Sequence, residues 1–99
     1  MTVEFEYYGD ISWLTSKERK ALAKELKECT RPKNWDNFNF YSKTFHVSGS
    51  YDDEDGYADD AHDMELVLNS YDVDWQGGAK IYDKYGEESW DALAGYHDI

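Results

Sequence analysis

Apolar and polar positions alternate at the start of the chain. Val3, Phe5 and Tyr7 fall on one side and Glu4 and Glu6 on the other, which predicts a half-buried strand over Thr2–Tyr8, closed by Gly9-Asp10. The period then lengthens. Leu22, Leu26 and Cys29 recur on one helical face, with Ala21 alongside, while Lys17, Lys20, Lys24 and Lys27 recur on the other. Thr15-Ser16-Lys17-Glu18 reads as a capping box and Arg31-Pro32 as a stop, so the helix is expected over Ser16–Cys29.

Period two returns at Asn37, first through Phe38 and Phe40, then out of phase through Phe45, Val47, Gly49 and Tyr51. The slip predicts a bulge or short turn at Tyr41-Ser42-Lys43. Asp52–Asp63 (DDEDGYADDAHD) reads as an acidic loop. Met64–Trp75 reads as a strand, with Leu66 and Leu68 on one face, Val73 and Trp75 on the other, and a slip near Asn69-Ser70. A helix through Tyr57, Ala61, Met64, Leu68 and Tyr71 is the rival. The strand is preferred because β-branched and aromatic residues increase toward Trp75.

Gln76-Gly77-Gly78 has the chemistry of a turn, Ala79–Asp83 of a short strand, and Glu87–Tyr96 of a final helix with Trp90, Leu93 and Ala94 inward. The expected fold is α+β: an antiparallel β-sheet of about four to five strands, with one long N-terminal helix and a short C-terminal helix packed on one face. Residues 1–99 are read as a single domain.

Charge changes the picture more than size does. Residues 1–51 carry seven acids and eight Lys/Arg, a net of +1. Residues 52–99 carry fifteen acids against Lys80 and Lys84, a net of −13. Acidic chains with few aromatics stay unfolded, but here 17% of residues are aromatic, and their burial offsets the repulsion. The one cysteine, Cys29, forms no internal disulfide and fits a reducing cytoplasm. With no apolar run of membrane length and no signal-peptide pattern at Met1–Gly9, no membrane association is expected. An acidic field disfavours direct binding of nucleic acid and favours basic surfaces.

Catalytic and metal chemistry find little support. With Gly56 as the sixth position of an EF-hand, the first and twelfth ligands would be Tyr51 and His62; only Asp53 and Asp55 fit. His46, His62, His97 and Cys29 lack zinc-ligand spacing, and no nucleophile motif or phosphate-cradling loop accompanies them. The expectation is a non-enzyme with no metal or cofactor. What stands out is the interleaving of acids with tyrosines. Asp72 and Asp74 flank Val73, so both carboxylates are expected on one face of a strand, near those of the acidic loop.

The acid-and-tyrosine stretch YDDEDGYADDAHD followed by SYDVDW resembles small phage-encoded counter-defence proteins that imitate DNA, of the anti-CRISPR and anti-restriction class. The resemblance implies an inhibitor in the host cell cytoplasm, occupying the groove of a basic nucleic-acid-binding protein or complex. On that reading the contact residues are Asp52, Asp53, Glu54, Asp55, Tyr57, Asp59, Asp60, Asp63, Tyr71, Asp72 and Asp74, the acids replacing phosphates and the tyrosines stacking on arginine. The alternative is a non-catalytic interaction module that binds through an aromatic patch or self-assembles. In the self-assembling form, a homodimer sets the lysine helix of one copy against the acidic half of another.

Overall fold

The computed structural model describes residues 2–82 and 88–91. Its elements are β1 (Thr2–Asp10), α1 (Ser16–Cys29), β2 (Asn34–Phe40), β3 (Thr44–Tyr51), α2 (Glu54–Ser70), β4 (Asp74–Tyr82) and β5 (Glu88–Asp91). The strands form one antiparallel sheet in the order β2-β3-β1-β4-β5, with β1 at its centre. Alternation decides which side is covered. Val3, Phe5 and Tyr7 of β1, Phe45, Val47 and Tyr51 of β3, and Trp75, Ala79 and Ile81 of β4 are buried on one face. Leu22 and Leu26 of α1 and Tyr57, Ala61, Met64 and Leu68 of α2 complete the same core. The opposite face carries Glu4, Glu6, Tyr8, His46 and Ser48 and is open.

The elements of the first half fall where the pattern predicts them, with two changes of bounds: Gly9-Asp10 does not close β1 but pairs within it with β3 and β4, and β2 starts at Asn34 and not at Asn37. Thr15 Oγ1 accepts from the Glu18 N–H at 3.1 Å, and Glu18 Oε1 accepts from the Thr15 N–H at 2.9 Å, closing the capping box. That bond from the Thr15 backbone holds the Glu18 carboxyl below its usual range. Tyr41 donates its N–H to the Thr44 carbonyl at 2.8 Å, so the slip in phase is the turn between β2 and β3.

The second half requires correction. Of the loop expected over Asp52–Asp63 only Asp52 and Asp53 lie outside a helix, and Met64–Ser70 is not a strand: α2 runs for 17 residues from Glu54 to Ser70, along the rival helical spacing. At 14 residues α1 is no longer than α2, so the pairing of a long N-terminal helix with a short C-terminal one does not hold. The β-branched and aromatic signal came from Val73 and Trp75, which lie beyond the helix in the approach to β4 and in β4 itself. Within the helix, the 57, 61, 64, 68 spacing and the cap at Asp53 outweigh the repulsion among outward acids.

Gln76-Gly77-Gly78 is the middle of β4, not a turn. A Cβ at Gly77 would lie 2.3 Å from the Glu6 carbonyl oxygen and 2.4 Å from Tyr7 Cδ1, so the glycine lets the Tyr7 ring lie against β4. The strand read as Ala79–Asp83 is the latter part of β4, which ends at Tyr82; Asp83 lies outside the described residues. The final helix is overturned at Glu88–Asp91, which pair with Ala79–Tyr82 as β5. The remainder of that prediction, at 87 and 92–96, lies outside the described residues.

Candidate interaction surface on the acidic helix

Asp53 starts α2. Its Oδ1 accepts from the Gly56 N–H at 2.6 Å, while Glu54 and Asp55 occupy the first turn, where the helix dipole favours negative charge. At 1.5 Å per residue, the eight carboxylates from Asp52 to Glu65 span roughly 20 Å, about one charge per 2.5 Å. Duplex DNA carries about one per 1.7 Å of axis and a single strand of that duplex about one per 3.4 Å, so the line charge is of nucleic-acid order.

These acids do different jobs. Asp60 Oδ2 accepts from the Arg31 N–H and from the Tyr51 hydroxyl, each at 2.7 Å, tying α2 to the end of β3 and to the α1–β2 connection. Asp52 meets Lys33 at 3.0 Å; both side chains are largely exposed, so the pair adds little stability. Asp55, Asp59 and Asp63 recur every four residues, are exposed, and have no cation within ion-pair distance among the described residues. Glu54 is half-buried.

The two predicted tyrosines are not exposed anchors on this helix. Tyr57 is fully buried, and its hydroxyl is 2.7 Å from that of Tyr7. Burial first, and then the neighbouring Tyr57, push the Tyr7 phenol far above its ordinary value. Burial, followed by the Asp60 carboxylate, does the same to Tyr51. Tyr71 donates its hydroxyl to Glu25 Oε2 of α1, and that bond raises its phenol as well.

Asp72 and Asp74 do not share a strand face. Asp72 follows the helix with φ of 55°, the left-handed conformation that ends helices, and donates its N–H to the Asn69 carbonyl at 3.0 Å. Asp74 begins β4 opposite Asp10 of β1. Both lie beyond the C-terminal end of α2, so the predicted array divides: Asp52–Asp63 at one end of the helix, Tyr71, Asp72 and Asp74 past the other.

Two features of the surface escaped the sequence reading. Leu66 is 55% exposed on the outward stripe with Asp55, Asp59 and His62; following the rival helix to its outer face would have exposed it. On the open sheet face, His46 Nε2 lies 2.7 Å from Glu6 Oε2. A trough of about 460 Å³ there, lined by Glu4, Glu6, Tyr8, Asp36, Ser48 and Lys80 among others, does not reach α2. Cys29 is half-buried, and its thiol is pushed up by burial and then by Asp63 and Asp60, which disfavours the reactive thiolate.

Among the described residues, no group of His, Cys, Asp and Glu is arranged to hold a metal ion, and no helix is long and apolar enough to cross a membrane. No family model matches this chain, and neither a curated protein nor a solved structure matches it.

Proposed function

We propose that this chain is a non-catalytic acidic binding protein. Its α2 presents carboxylates to a basic, nucleic-acid-binding surface, and it acts as an inhibitor of the DNA-mimic kind on a host defence complex. One observation carries the reading: Asp55, Asp59 and Asp63 lie exposed on successive turns of a single capped helix. Spaced about 6 Å apart along its axis, they form a line of unneutralised charge that a cleft lined with arginine and lysine can read as phosphates. The contact set narrows accordingly. Asp55, Asp59 and Asp63 make the central contacts and Asp52 and Glu54 flank them. Asp53 and Asp60 hold the helix in place, and Tyr57 belongs to the core.

Affinity capture from a host lysate at low salt tests this. The wild-type chain should retain a protein that duplex DNA competes off, and D55N/D59N/D63N should lose it. Retention unchanged by the triple substitution, or insensitive to DNA, would refute the proposal. Association should also weaken steeply with salt, as expected of charge-steered binding.

A further inference from the structure

The two helices lie side by side and run antiparallel. The C-terminal end of α1 meets the N-terminal half of α2, where the Arg31 N–H bonds Asp60, and Tyr71 beyond the end of α2 returns to Glu25. Their outward faces have opposite sign. At 100° per residue, Lys17, Lys20, Lys24 and Lys27 fall within about 80° of arc opposite the buried Leu22 and Leu26, and all four are exposed. On α2, Asp55, Asp59, His62, Asp63 and Leu66 fall within about 100° opposite Tyr57, Ala61, Met64 and Leu68, and all five are exposed. A basic stripe therefore lies beside an acidic one, with an exposed leucine in the acidic stripe.

We infer that the helical layer is a self-complementary docking surface, and that its occupant is a second copy of this chain. A two-fold axis parallel to the helices and midway between them lays α1 of each copy over α2 of the other. That operation preserves height along the axis. The bond from the Arg31 N–H to Asp60 therefore sets the register, bringing Lys27 of one copy level with Asp63 of the other. Leu66 then lies beneath the alkyl stems of Lys24 and Lys27 of the opposite copy, which cover apolar surface once their ammonium groups turn to carboxylates across the interface from Glu28 and the Phe38 ring, which they meet at 3.9 and 5.0 Å within their own chain. The contact is isologous, so assembly closes at two copies and does not grow into a filament. The dimer also covers Asp55, Asp59 and Asp63, so a basic target has to displace the second copy before it binds.

Sedimentation of the full chain near physiological salt and at high protein concentration tests the dimer, using two charge-swapped variants. K24E/K27E carries a net charge of −16 and D59K/D63K one of −8, against −12 for the parent chain. Each alone opposes like charges across the interface and should associate at least about tenfold more weakly than the parent. Mixed one to one, they have the total charge of two parent chains and restore both complementary contacts. The mixture should therefore regain the parent's dimer and stop there. Circular dichroism of each variant confirms the fold. A monomeric parent, dimerisation unaffected by K24E/K27E, or a folded mixture that stays monomeric would each overturn the inference. Sedimentation reads the dimer and capture reads the proposed inhibitory contact, and K24E/K27E leaves every residue of that contact in place, so the two ideas fail separately.

Discussion

Removing the cap of α2 tests whether residues 54–70 are the ordered helix on which the functional reading depends. In D53A the Gly56 N–H loses its 2.6 Å acceptor and the helix start loses a carboxylate that favours its dipole. Losing an N-cap costs about 1 kcal/mol and the dipole contribution about 0.3–1 kcal/mol, while relief of repulsion from Asp52, Glu54 and Asp55 returns a few tenths. The net of about 1 kcal/mol should lower Tm by roughly 4–8 °C in a domain of this size. D53N separates capping from charge, because asparagine caps as well as aspartate, and it should stay within about 0.5 kcal/mol of the parent. Thermal melts followed by circular dichroism at matched salt measure both. Equal melting of D53A and the parent, or equal loss in D53A and D53N, would refute the capped helix and return this segment to an acidic loop.

Other consequences follow from the core. Y57F strands the buried Tyr7 hydroxyl and should cost about 1–3 kcal/mol, while Y7F/Y57F should cost less than the two single changes together, as a double-mutant cycle in urea would measure. Tyr7 and Tyr51 have phenol pKa values raised in the folded state. Their contribution is fully present below the unfolded value of about 10 and declines as pH rises above it, so stability should fall from pH 10 upward and both phenols should ionise only with unfolding, as ultraviolet titration reads. G77A drives a methyl into the Glu6 carbonyl and the Tyr7 ring and should destabilise by roughly 1–3 kcal/mol in denaturant melts; a neutral result would contradict the β1–β4 packing.

The chain's first half was legible because local signals agreed with the fold. Alternation at Val3, Phe5 and Tyr7, and the box at Thr15 and Glu18, need no tertiary context. In the second half the local signals conflict. Seven acids in twelve residues obscured a helix whose inward face, Tyr57, Ala61, Met64 and Leu68, was visible at the correct spacing. Gly77 resembles a turn residue in sequence; the Tyr7 ring that requires it there belongs to a strand seventy residues away. The acids could be counted from the sequence but not sorted. That Asp60 binds Tyr51 and the Arg31 N–H while Asp59 points outward depends on how α2 sits against β3 and α1.

The claim that α2 carries the binding surface is tested most directly by hydrogen exchange of the chain, free at a dilution where it is monomeric and bound to the basic protein it captures. Bound chain should gain protection in residues 54–70 and none over Glu4–Tyr8 or Thr44–Tyr51. Protection confined to those strands, with α2 exchanging as in the free chain, would move the site to the open sheet face and contradict the account.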